Sequence, residues 1–238
     1  MLILAVDTTA GAASCALWKD GQTIAESFIN AKITHSVTLM PMIESMLSSV
    51  GADINDVELL AATVGPGSFT GVRIGASVIL GLACGRNIPC VGVSTLDVLA
   101  LTLKDVPGDF IICPVMDARR GQFYNALFKS GHKPERLTED RAVSGEHIAE
   151  ELKTYGLPVM ANGDGYIVFK PFMNDLPVFE TPDKLIYQSA SKVAEAAYNK
   201  YEQAENKSIF TDLNFKPVYL RPSQAERTLK EKNDPKGE

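Results

Sequence analysis

Residues 2–21 read LILAVDTTAGAASCALWKDG, and residues 112–131 read ICPVMDARRGQFYNALFKSG. The two stretches align without a gap and share six of twenty positions: Asp7/Asp117, Gly11/Gly121, Ala16/Ala126, Leu17/Leu127, Lys19/Lys129 and Gly21/Gly131. Background composition supplies about one or two such identities by chance. Each copy is an apolar strand ending in Asp, a glycine-containing turn, a second strand and another turn. The repeat therefore predicts an α/β chain of two similar domains, each opening with a β-hairpin. Asp7 and Asp117 are expected to face the cleft between them.

The rest of the chain fills in around the repeat. Strands are expected at 13–18 and 22–29, joined at Asp20-Gly21, and at 58–64 and 89–93. Leu39, Ile43, Met46, Leu47 and Val50 have helical spacing over 35–50, with Pro41 making that helix begin late or kink. Further helices are expected at about 70–84, 94–103, 144–154 and 186–202. In the second copy 111–117 and 122–128 read as strands, followed by one near 157–161. KDVPGD at 104–109 marks the domain boundary. That gives domains at 1–104 and 105–220, with helix 186–202 packing back on the first. The tail 221–238 has five basic and four acidic residues in eighteen and is expected to be mobile. PVYLR at 217–221 is a short extended motif that adds an edge strand or pins the C-terminus.

Composition excludes several classes. The 238 residues are 45% hydrophobic and 22% charged, too apolar for a disordered chain. No apolar run is long enough for a transmembrane helix, and no basic stretch precedes the first apolar run as in a signal peptide. The net charge of −6 argues against a grip on nucleic acid through global charge. Cys15, Cys84, Cys90 and Cys113 form no C-x-x-C pair and read as buried free thiols rather than zinc ligands. His35, His132 and His147 are too scattered to build a catalytic set and read as surface or helix-end residues.

VGPGSFTG at 64–71 lies between a strand and a helix. Its glycines suit either an anion at the helix start or a tight turn, and it is neither a P-loop nor a Rossmann fingerprint. Asp7-Thr8-Thr9 suits either Mg²⁺ or phosphate positioning, or simple turn capping. The helix after the loop carries Gly71, Gly75, Ser77, Gly81 and Gly85 in two small-residue rows that allow close helix approach. Met40, Met42 and Met46 on the first long helix suit core filling or an adaptable contact surface. Arg73 and Arg119-Arg120 are candidates to meet an anion or an acidic partner.

ILAVDTT (3–9), THSVTLMPMI (34–43), VGPGSFTGVRIG (64–75), GVSTLD (92–97), MDARRGQFY (116–124) and PVYLR (217–221) together resemble the TsaB (YeaZ) family. The resemblance implies two RNase H-like domains of the actin/Hsp70/sugar-kinase (ASKHA) superfamily, and a role in tRNA threonylcarbamoyladenosine (t6A) synthesis. The related catalytic TsaD proteins carry a His-x-x-x-His metal motif. Its two positions are held here by Thr95 and Leu99, so no metal ligand and no catalytic residue is nominated, and a peptidase is not expected.

The resemblance implies a non-catalytic cytoplasmic subunit that binds TsaD directly and TsaE through the complex, is linked to TsaC, which makes the donor, and meets tRNA indirectly. A homodimer is expected when it is alone. The expected partner face is His35, Ser36, Leu39, Met40, Ile43, Met46 and Leu47 on one helix, and Thr70, Arg73, Ile74, Gly75, Ser77, Val78 and Gly81 on the next. The alternative is an independent ATPase or phosphotransferase of the same fold. Asp7, Thr8, Thr9, Gly65, Gly67, Ser68 and Asp117 would line its nucleotide cleft. No tightly bound cofactor is expected, only weak ATP or ADP with Mg²⁺.

Overall fold

The computed structural model describes residues 1–31 and 33–221. Apart from Arg221 itself, the tail expected to be mobile lies outside the described residues.

The first half is built on β1 (Leu2–Asp7), β2 (Ala13–Lys19), β3 (Gln22–Ile29), β4 (Leu59–Thr63) and β5 (Cys90–Val93). They form one sheet in the order β3-β2-β1-β4-β5. The first three are an antiparallel meander, and β4 and β5 run parallel to β1. Asp20 and Gly21 adopt the positive φ that the first hairpin demands. β1 alternates its side chains between two cores. Leu4 and Val6 pack under α1 (His35–Val50) and α2 (Phe69–Ala83), while Ile3 and Ala5 face the opposite side. Helix α1 starts at His35 and runs through Pro41, which is exposed, so it does not begin late as Pro41 suggested. Gly51 closes it in the left-handed conformation that glycine adopts without cost. Cys84, at the end of α2, is exposed, while Cys15, Cys90 and Cys113 are buried, so the buried-thiol reading fails for that residue.

After α3 (Thr95–Thr102) come β6 (Ile111–Asp117), β7 (Gln122–Asn125), β8 (Phe128–Lys129), β9 (Glu135–Arg136), β10 (Arg141–Ser144), α4 (Gly145–Tyr155), β11 (Val159–Asn162), α5 (Tyr166–Phe169) and α6 (Ala190–Gln203). β6 is central in the second sheet. It pairs antiparallel with β7 and β8 and parallel with β11. The expected single strand 122–128 is broken at Ala126-Leu127. Both fragments keep the same register on β6, and that register places Pro114 opposite Ala126. Proline has no N–H to give the ladder there. The Asn125 side-chain amide bonds the carbonyls of Pro114 and Ala126 instead.

The last helix was expected from 186 but begins at Ala190. It leaves the second half and covers the far face of the first sheet, where Val193, Ala194 and Ala197 meet Ile3, Ala5, Trp18, Leu59 and Val91. The two halves share a continuous apolar core. Leu96, Leu99, Ala100 and Leu103 pack against Phe110, Ile112, Met116, Phe128 and Met160. No described helix is long and apolar enough to cross a membrane.

Candidate partner face and interdomain cleft

Where the repeated strands end, the chain meets itself closely. Asp7 is buried at the end of β1. One carboxylate oxygen accepts from the Thr9 N–H at 3.2 Å; the other accepts from the hydroxyls of Thr9, at 2.8 Å, and of Thr63. Burial pushes the Asp7 carboxyl above its ordinary range, and the bonds from Thr63 and Thr9 only partly offset that.

The glycine-rich loop lies directly on this strand end. A Cβ on Gly67 would stand 2.6 Å from the Thr9 carbonyl oxygen, and one on Gly71 would stand 1.9 Å from that of Thr8. A Cβ on Gly75 would stand 2.7 Å from the Thr8 hydroxyl oxygen. The Ser68 N–H donates to Thr9 O at 2.8 Å, and the Thr8 hydroxyl donates to Gly71 O at 2.7 Å. Ser68 caps α2 by accepting from the Gly71 N–H at 3.3 Å. Gly65-Pro66 is a cis peptide bond. The space left by the missing side chains is thus taken by the chain's own backbone. These contacts make the loop a tight turn, with both Asp7 oxygens and the N–H groups of Ser68 and Gly71 engaged within the protein.

The second copy ends differently. Asp117 is exposed, and among the described residues its carboxylate accepts only from the Arg119 N–H, at 2.7 Å. Asp164, which the repeat did not single out, is half-buried beside it and accepts from the Asp117 N–H at 3.1 Å. Burial, together with the charges of Asp117 and Asp7, pushes the Asp164 carboxyl up to about 6. Asp117, Asp164, Arg119, His35 and Ser68 are among the residues lining a cleft of ≈ 780 Å³ between the halves. The approach of Asp164 to Asp117 depends on the fold.

Thr95 and Leu99 are both fully buried on α3, and Leu99 belongs to the apolar core between the halves. Among the described residues, no group of three His, Cys, Asp or Glu side chains could hold a metal ion. The proposed edge strand at 217–221 is absent; the segment pins the end of the chain instead, with the Val218 N–H donating to Val64 O at 2.7 Å.

α1 and α2 lie side by side on one face of the first sheet. Not all the side chains nominated for a partner face are available there. Leu39, Ile43, Met46 and Leu47 are in the core, because the apolar stripe of α1 is needed to cover the sheet. Gly75 is buried against Thr8. Ser36, Thr70, Arg73, Ser77 and Gly81 are exposed, and His35, Met40, Ile74 and Val78 are partly so. Exposed Val37 extends this face, a residue the sequence reading passed over.

The topology and the duplicated strand–Asp ends define a two-domain protein of the ASKHA type. The family described as "TsaD: tRNA N6-adenosine threonylcarbamoyltransferase" matches residues 29–227. An Escherichia coli protein named tRNA threonylcarbamoyladenosine biosynthesis protein TsaB is 30% identical, over 96% of this chain and 98% of its own length. The Bacillus subtilis protein of the same name is 35% identical, over 74% of this chain and 76% of its own. A solved Pseudomonas aeruginosa structure, described as similar to the peptidase YeaZ, superposes with a TM-score of 0.78 at 25% identity and covers 92% of this chain and 99% of that one. The chain belongs to the TsaB (YeaZ) family.

Proposed function

We propose that this protein is a non-catalytic subunit in t6A synthesis, docking a TsaD-type transferase through the exposed parts of α1 and α2. The observation that carries this reading is the fate of Thr95 and Leu99. The positions that the resemblance aligns with metal-binding histidines are both fully buried, and Leu99 lies in the apolar core that binds the two halves together. A hydrophobic interdomain core of this kind opposes the hinge opening that an ASKHA-type catalyst uses. In this reading TsaE joins through the complex, TsaC supplies the threonylcarbamoyl donor, and tRNA meets the transferase rather than this acidic chain. The protein works in the cytoplasm, and the same face pairs two copies when the transferase is absent.

The direct experiment is t6A formation in vitro with TsaC, TsaD and TsaE, with and without this protein. Formation should depend on its presence; equal yield without it overturns the reading. Ser77 is exposed on α2, so Ser77→Glu should abolish co-purification with TsaD while leaving the melting temperature unchanged. Gly75 is unsuited to that test, since any side chain there meets Thr8.

A further inference from the structure

The segment Pro217–Arg221 has no regular secondary structure, yet it is tied at three points. Val218 bonds Val64, and a Cβ on Gly65, whose φ is +112°, would stand 2.5 Å from Val218 O. Arg221 Nη1 donates to the Ala118 carbonyl, across the cleft, at 3.3 Å. Between these two ties, Tyr219 reaches α2. Its ring lies 5.0 Å from that of Phe69, and its hydroxyl accepts from Arg73 Nε at 3.1 Å.

Arg73 is thereby held in a fixed pose while remaining exposed. Its guanidinium carbon sits 4.0 Å from the Phe69 ring centroid and 5.9 Å from that of Tyr219. It is the sole charged residue of α2 and stands on the exposed row with Thr70, Ser77 and Gly81. Among the described residues, no carboxylate bonds it. A stacked guanidinium has already lost much of its rotamer freedom, and its planar fork matches a carboxylate in a bidentate way. Preorganisation of that kind lowers the entropy cost of pairing.

We propose that Arg73 receives a carboxylate from an acidic patch on the docking partner, and that Tyr219 is a positioning residue that presents it. The inference rests on the docking-face reading above and deepens it. The strap 217–221 then bears on the interface through Arg73.

The test is the affinity of TsaD for the full-length protein, measured by calorimetry at several salt concentrations. Arg73→Gln should weaken binding about tenfold at low salt and flatten its salt dependence, as loss of an interfacial ion pair does. Tyr219→Phe keeps the ring on Phe69 and removes only the hydroxyl acceptor, so it should weaken binding less. The double variant should bind no worse than Arg73→Gln alone, because Tyr219 acts only through Arg73. Additive losses overturn the positioning role. Unchanged affinity and salt slope for Arg73→Gln, alongside lost binding for Ser77→Glu, overturn the carboxylate pairing and leave the docking face standing. If Ser77→Glu also binds normally, the docking face itself fails.

Discussion

The two repeated strand ends share an Asp and little else of its environment. Asp7 is buried, with three donors on its oxygens, while Asp117 stands exposed with one. The turn after Asp7 carries Thr8 and Thr9, whose carbonyls receive the glycine-rich loop. The turn after Asp117 carries Arg119 and Arg120, both at positive φ, and opens toward the cleft. The first copy has become a packing joint, and the second has kept its carboxylates near solvent. An Asp at the end of a strand is therefore a position, not a role; its neighbours decide whether it anchors a fold or faces a ligand.

The sharpest way to break this comparison is to add one methyl group to each loop. Gly71→Ala drives a Cβ to 1.9 Å from Thr8 O, and should cost about 3 kcal/mol or more, or prevent folding. Gly165 packs on the second strand end, but its nearest neighbours would be 3.0 Å away, so Gly165→Ala should cost about 1 kcal/mol. Urea unfolding of both variants measures the difference; equal costs would deny that the first joint is the tighter one.

A smaller effect should separate the two carboxylates. Asp7→Ala takes the acceptor from the Thr9 and Thr63 O–H groups in the interior and should cost about 2–4 kcal/mol. Asp117→Ala removes one acceptor at the surface and should leave the midpoint nearly unchanged.

The smallest effect is in pH. Asp164 titrates near 6 in the folded protein, above its ordinary range, so the native state holds its proton more tightly than the unfolded chain. Stability should then fall as pH rises from about 4 to about 6, and level off above that. Asp7, whose carboxyl is also raised, acts in the same direction. Asp164→Asn keeps the acceptor for the Asp117 N–H and removes the charge, so it should flatten this part of the profile. A variant with the wild-type slope would place the titration elsewhere.

The long elements were legible because period and punctuation agree over enough residues. The strands of the first sheet, α1 and α2 fall within a residue or two of where apolar spacing and Gly/Pro signals put them. The second half was harder. β8 and β9 have two residues each, too few to show a period, and the break after Asn125 depends on Pro114 across the ladder. The partner face was read as whole helices. Apolar residues such as Leu39 and Met46 look alike in sequence whether a helix turns them toward its own sheet or toward another molecule. The proximity of Asp164 to Asp117, and of Tyr219 to Arg73, joins residues far apart in sequence, and no local pattern announces it.

The return of α6 to the first sheet has a consequence for synthesis. The ribosome delivers β1 to β5 with Ile3, Ala5, Leu59 and Val91 turned toward a face that α6 largely covers. At about 5–20 residues per second, that helix follows roughly a hundred residues later, after the second sheet has emerged. The order of translation thus runs against the order of assembly. The nascent first half waits with an open apolar face for several seconds. Helix α6 thus closes the first sheet from late in the chain.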